Sequence, residues 1–319
     1  MTKNILLTGG FGTLGGRIAA ELSKSSEFNL RLATRVKRDA PAWAPHAEVC
    51  LIDFEDEKSI AKMVDGMTHC VHLAALNDYE CRANPEKAQL VNVEYTRRLI
   101  QQASRVKNLR FTYLSTIQVY GNNLAGRITE STKTNPMDAY SKTHLAAEDI
   151  VQQANHAQEI EGIRLRSANG FGTPMSPDAK IWQIIANDLC RQAVETKTLT
   201  LKSPGLQYRN FVTFTDICSA IIHLVQMPST QIRDGLFNLG GSKSLQIIQM
   251  TKIIATRCAA VLDFLPTINK PDLTTDEIPP NFEFYSEKIL STGLNLTNNI
   301  ENEIDILLKN CQTWFGAKN

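Results

Sequence analysis

The sequence predicts an α/β fold built on a doubly wound parallel sheet, with a smaller lobe interleaved with it. Two observations carry this. A short apolar strand at the amino end runs straight into a glycine turn and a helix. Further apolar strands then alternate with helical stretches through the first half of the chain. With 319 residues and no internal repeat, low-complexity segment or long linker, the chain can bury a large core as one domain or two lobes.

Ile5-Leu6-Leu7 is an apolar run of the kind a strand buried on both faces shows. The turn after it places Gly9, Gly12 and Gly15 three residues apart, and Arg17-Ile18-Ala19-Ala20-Glu21-Leu22 resumes a helical pattern. Such a turn serves a dinucleotide. One glycine makes the tight turn, one lets the backbone approach the pyrophosphate, one lets the helix pack on the strand, and the helix N-terminus faces the phosphates. Phe11, Thr13 and Leu14 lie within the turn and join the three glycines as candidate cofactor contacts.

Leu30–Thr34 forms a second strand, ending at Arg35, where an acid for the ribose 2′-hydroxyl often stands. A guanidinium suits a 2′-phosphate instead, and Lys37 and Arg38 follow closely, so NADP is favoured over NAD without excluding NAD. Glu48–Ile52 is a third strand, with Asp53 and Phe54 placed to cap the adenine edge. Thr68–Leu73 is a fourth, running into Ala74 and Ala75. These two are small enough, with Leu73, to let the chain pass close to a cofactor. His72, one histidine within an apolar strand, reads as a packed core residue. Asn77 is a candidate substrate contact. Residues 86–106 read as one helix, with Asn92 as a polar anchor facing the site. Arg110–Leu114 supplies a fifth strand.

Bulk composition narrows the function. A net charge of +1 gives no reason to expect nucleic acid or an acidic membrane surface as a partner. Seven cysteines without a CxxC pair suggest neither a disulfide framework nor a metal site, and read as reduced, mostly buried thiols. With no signal peptide or apolar run of membrane-spanning length, a soluble cytoplasmic protein is expected.

The chemistry follows the fifth strand. Ser115-Thr116-Ile117-Gln118-Val119-Tyr120-Gly121 leaves it, and Asp138-Ala139-Tyr140-Ser141-Lys142-Thr143-His144 opens a second long helix. With the glycine turn, these motifs resemble the extended short-chain dehydrogenase/reductase family of nucleotide-sugar epimerases, dehydratases and ketoreductases, over nearly the whole chain. The resemblance implies a Rossmann-like dinucleotide domain, an NAD(P)(H) cofactor, Tyr140 as general acid/base, Thr116 sharing a hydrogen bond with the reacting oxygen, and a homodimer built on the two long helices. The chemistry agrees. Hydride transfer at a carbinol carbon requires a proton to leave or reach its oxygen, and a phenol at hydrogen-bond distance moves one.

Two departures are informative. The family carries Lys four residues after the Tyr, and here that position is His144; Lys142, two residues on, projects from another face. His144 is taken as catalytic and cofactor-binding by position. It supplies little positive charge at neutral pH, so Tyr140 stays protonated, which suits ketone reduction better than alcohol oxidation. The dehydratase members carry acids directly after the Thr. Here Ile117 and Gln118 stand there, which argues against elimination of water and leaves Gln118 a candidate substrate contact.

Ile163–Arg166 is a sixth strand leading to Ser167-Ala168-Asn169-Gly170-Phe171-Gly172-Thr173-Pro174, similar to a family segment in which Asn169 contacts the substrate and Phe171 lines its pocket. Residues 175–195 read as a helix. Gln207-Tyr208-Arg209-Asn210-Phe211 places Arg209 to grip a diphosphate through its planar fork of donors. Thr215-Asp216 opens a helix, Asp216 being structural. Leu236–Gly241 is the last sheet strand. The expected division is residues 1–170 with about 211–245 for the dinucleotide and about 171–210 with 246–319 for a nucleotide-diphosphate sugar. The first expectation is NAD(P)-dependent reduction of a 4-keto (6-deoxy) hexose or heptose for surface polysaccharide. The alternatives are a 4-epimerase or C4 dehydrogenase with retained cofactor, and a non-catalytic NAD(P)-binding regulator.

Overall fold

The structure is a computed structural model describing residues 2–273 and 279–316. In chain order its strands and helices are β1 Lys3–Thr8, α1 Thr13–Leu22, β2 Phe28–Thr34, β3 Glu48–Leu51, α2 Glu57–Val64 and β4 His69–His72. Then come α3 Asp78–Ala83, α4 Pro85–Ala88, α5 Tyr95–Ala103, β5 Arg110–Thr116, β6 Gly126–Ile128, α6 Ala139–His156 and β7 Glu161–Ser167. Next are β8 Asn169–Phe171, α7 Ile185–Thr196, β9 Thr198–Thr200, β10 Tyr208–Thr213, α8 Phe214–Gln226, β11 Leu236–Leu239 and β12 Ser244–Gln246. The chain closes with α9 Ile247–Leu262, β13 Thr267–Asn269, β14 Phe282–Phe284, α10 Glu287–Leu290 and α11 Ile300–Phe315.

Seven strands form one parallel sheet in the order β11-β7-β5-β4-β1-β2-β3. The two-residue period of β1 shows why helices cover both faces. Ile5 and Leu7 enter a core layer with Ile18 and Leu22 of α1 and Ile217 and Ile221 of α8. Leu6 enters the opposite layer with Ile60 of α2, Leu99 of α5 and Val151 of α6. The strand order reverses between β1 and β4, and a crevice opens there at the carboxyl ends of the strands, the ligand position of such sheets.

A third core gathers Phe171, α7, α9 and α11 around Phe211 and Leu245, beside the small sheet β12-β10-β8. Arg17 of α1 ties this part to the sheet. Its guanidinium donates to Thr173 O at 3.0 Å, to Glu303 of α11 at 3.2 Å and to Thr215 Oγ1 at 3.3 Å. Glu303 is buried beside Gly172, where a Cβ would stand 2.2 Å from its Oε1, so only glycine admits the carboxylate.

Two helices differ from expectation. The 86–106 stretch is divided into α4, a π-helical run Gln89–Glu94, and α5. The 175–195 helix starts only at Ile185, because Pro174 and Pro177 lie in the preceding turns and Ile184 is extended, with φ −81° and ψ 129°. The cap of α8 is Thr213, whose side chain accepts from Asp216 N–H. The Asp216 carboxylate instead accepts from Thr297 and Asn298 N–H at 2.7 and 3.0 Å, a structural role.

Candidate active site

The glycine turn is built by contacts that allow nothing larger. Gly9 has φ +73°, and a Cβ on it would lie 3.1 Å from Ala74 N. Gly12 N–H donates to Gly9 O at 2.8 Å, and a Cβ on Gly15 would sit 2.1 Å from that same oxygen. Gly12 caps α1 without any side-chain hydrogen bond, so the first N–H groups of α1 are left for an anion, with the helix dipole behind them. The turn lines a groove of about 360 Å³ that Thr13, Leu14, Arg35, Phe54, Leu73, Ala74, Ala75 and Asn77 also line. Its length from Arg35 to Asn77, its glycine cradle and its apolar walls fit a dinucleotide.

Beneath the groove lies a directed chain of hydrogen bonds. Thr96 Oγ1 donates to Asn92 O at 2.7 Å and therefore accepts from His72 Nε2 at 3.0 Å. His72 Nδ1 must then accept from Thr8 Oγ1, at 2.7 Å, while Thr8 Oγ1 itself accepts from Leu73 and Ala74 N–H, both at 3.2 Å. Burial lowers the His72 pKa to about 3, with His144 adding to the effect. His72 is thus a neutral core residue that fixes the backbone turn after β4.

A larger cavity, about 1270 Å³, adjoins the groove at Asn77 and is lined by Thr116, Gln118, Tyr140, Asn169 and Arg209. A neighbouring cavity of about 610 Å³ shares Gln118, Asn169 and Arg209 with it. Each lining side chain is positioned locally. Thr116 ends β5 and accepts from Gln118 N–H at 3.2 Å, leaving its own proton to donate. Asn169 donates to Asn210 O at 2.9 Å, and Arg209 to Tyr208 O at 2.8 Å. Tyr140 begins the first turn of α6, which Asp138 and Ser141 cap reciprocally. The far turns of α6 are tied to β7 by Glu148, which accepts from Arg166 Nε at 3.0 Å and from its terminal nitrogen at 2.6 Å in a fully buried pair.

Burial raises the Tyr140 pKa to about 12, against a smaller lowering by the hydrogen bond from Thr116. His144 does not compensate. Its ring packs against Tyr140 with centroids 4.4 Å apart, and its Nδ1 meets Tyr113 OH at 2.8 Å on the sheet side. Burial lowers its pKa to about 4, so it is neutral at neutral pH. Lys142 is exposed.

Several expected contacts lie elsewhere. The spacing predicts His144 in the site, but it is buried against Tyr140 and lines neither the groove nor the larger cavity. Asn92 is 1% exposed and fully engaged, accepting from Leu76 N–H at 2.7 Å and donating to Thr143 Oγ1 at 3.0 Å, so it anchors the strand-to-helix connection rather than a ligand. Phe171 is fully buried in the third core, edge-on to Phe211 at 6.3 Å, although it stands two residues from Asn169 on β8. The Asp53 carboxylate accepts from Glu55 N–H at 2.8 Å, while its neighbours Ile52 and Phe54 line the groove. Phe11 is outside the lining and carries Arg38 over its ring at 4.6 Å. Tyr95 and Lys180 line the groove, and nothing in their local sequence marks them. Among the described residues no cluster of His, Cys, Asp and Glu could hold a metal, and no helix is long and apolar enough to cross a membrane.

The model of the NAD dependent epimerase/dehydratase family matches residues 5–240. UDP-glucuronic acid decarboxylase 6 of Arabidopsis thaliana is 25% identical over 277 residues, covering 84% of this chain and 78% of its own length. A UDP-glucuronic acid 4-epimerase from Bacillus cereus, solved with NAD, superposes with a TM-score of 0.80 at 19% identity over 98% of this chain and 99% of its own. RMD from Pseudomonas aeruginosa, solved with NADPH, gives 0.79 at 18% identity over 98% and 99%. The glycine cradle at the reversal of the sheet, the two adjoining cavities and this match agree: the chain belongs to the NAD dependent epimerase/dehydratase family.

Proposed function

We propose that the protein is a reductase of a 4-keto nucleotide-diphosphate sugar. The observation that carries this is the state of Tyr140: raised to about 12 by burial, with a neutral histidine behind it instead of a cation. A phenol so held keeps its proton at neutral pH and can give it to a ketone oxygen. With a ketone bound, the Thr116 hydroxyl would turn its one proton from Tyr140 to that oxygen as a second donor. The bound nicotinamide would supply the hydride. Asn169 and Arg209, at the shared edge of the two sugar-side cavities, would hold the diphosphate and nucleotide. Gln118 cannot act as the acid or base that water elimination needs.

Arg35 in the groove lining supports NADP as the preferred dinucleotide, since a guanidinium pairs with a 2′-phosphate that an Asp would repel. Homodimerisation through α5 and α6, and a soluble cytoplasmic setting, remain part of this reading. A 4-epimerase with retained cofactor is the second reading, favoured by the likeness to the UDP-glucuronic acid 4-epimerase of Bacillus cereus.

The deciding experiment is cofactor stoichiometry. Purified protein is incubated with a UDP-4-keto sugar and NADPH or NADH, and nicotinamide absorbance is followed. A reductase consumes one reduced cofactor per sugar. Interconversion of UDP-sugars without net consumption would replace this reading with the epimerase, and absence of turnover with intact binding would replace both with a cofactor-binding regulator.

A further inference from the structure

Two residues line both the dinucleotide groove and the large sugar-side cavity: Asn77 and Lys180. Lys180 donates to Glu80 Oε1 at 2.7 Å, joining the segment between β8 and α7 to α3 across 100 residues of chain. The Lys180 side chain is 77% exposed and that of Glu80 31%. An ion pair this exposed contributes little to folding.

The backbone beneath the lysine is nevertheless fixed. Ile181 is 1% exposed in the core. Trp182 Nε1 donates to Pro177 O at 2.7 Å, and its ring packs edge-on to Phe315 of α11 at 5.0 Å. A flexible cation is therefore presented from a rigid base at the boundary where two diphosphate ligands of the proposed reaction meet. Glu80 is held from the other side, since its Oε2 accepts from Asn77 N–H at 3.2 Å in the capping box of α3.

We propose that Lys180 is a diphosphate-binding residue, held by Glu80 until ligand arrives and then transferred from the carboxylate to a diphosphate oxygen. Glu80 is in this view a competitor for the ammonium. The inference rests on the reading of the protein as a nucleotide-sugar oxidoreductase, and it adds a residue that neither the family motifs nor the local sequence pattern selects. The shared chemistry is a diphosphate, and its source is the dinucleotide or the nucleotide sugar.

The two members of the pair make opposite predictions. Titration calorimetry would measure NAD, NADP, UDP and inorganic pyrophosphate against the parent protein, Lys180→Met, Lys180→Arg and Glu80→Gln. Lys180→Met is expected to weaken one of the dinucleotide or UDP arms about tenfold, the size of a lost charge-assisted hydrogen bond, and to lower the salt dependence of that arm. The weakened arm identifies the source. Lys180→Arg keeps the charge and most of the affinity. Glu80→Gln keeps the capping box, which accepts Gln, and is expected to tighten the same arm. Unchanged affinity in Lys180→Met, or a Glu80→Gln protein that binds no more tightly than the parent, overturns the proposal. Pyrophosphate competition with the weakened arm supports it. A parent protein that binds neither dinucleotide nor UDP would overturn the functional reading together with the inference, whereas normal binding insensitive to Lys180 overturns the inference alone.

Discussion

At the residue scale the site turns on Tyr140 and the histidine behind it. Tyr140→Phe keeps the ring and its contact with His144 and removes only the transferable proton, so turnover should fall by about 10²–10⁴ with unchanged melting temperature. His144→Lys should pull the Tyr140 phenol down from its raised value. The pH optimum for oxidation of the alcohol would then move to lower pH, and an unchanged profile would show that the cation has no route to Tyr140. The histidines also set acid stability. His72 and His144 fold with pKa values of about 3 and about 4, below the ordinary 6.5, so the unfolded chain binds more protons. Their contribution is complete above pH 6.5 and is lost as pH falls towards 4, by about 3 kcal/mol each at pH 4. Denaturant midpoints measured from pH 7 to pH 4 should fall steeply in that window, and less so in His144→Gln.

At the scale of elements, helix α6 carries Tyr140 near one end and Glu148 further along, two turns on. Glu148→Ala leaves Arg166 buried without its carboxylate and should cost about 3–5 kcal/mol, read as a lower denaturant midpoint. In the glycine turn, Gly15→Ala forces a Cβ to within 2.1 Å of Gly9 O, so the turn must open. Dinucleotide affinity should drop by more than tenfold in calorimetry, with UDP affinity retained because no residue of the turn or of α1 lines the larger cavity. The elements themselves were legible in the sequence where one signal dominates: β1, β2, β4 and β5 follow from apolar runs, and α6 from the motif around Tyr140. Side-chain direction was less so. Phe171 and Asn169 sit two residues apart on a strand of three, yet the cores on either side decide which enters a cavity. Asn92 has the right chemistry for a ligand contact, but its amide is used by Leu76 and Thr143, partners supplied by tertiary packing alone.

At the scale of the whole molecule, a doubly wound parallel sheet could be read in advance from strands alternating with helices, whereas its strand order and the reversal between β1 and β4 come from the structure. The site's second wall could not. Lys180 meets Glu80 across 100 residues, and no local pattern announces such a pairing. The same holds for Arg17 and Glu303, which join the first helix to the last across 286 residues. That pair has a consequence in time. At translation speeds of about 5–20 residues per second, Arg17 leaves the ribosome roughly 15–60 s before the carboxylate that neutralises it. For that interval a nascent α1 can pack on β1 with its guanidinium held by Thr173 O and Thr215 Oγ1 at most, its charge unmatched until residue 303 emerges. Stalled chains ending before residue 303 should therefore be more protease-sensitive at α1 than chains that include it.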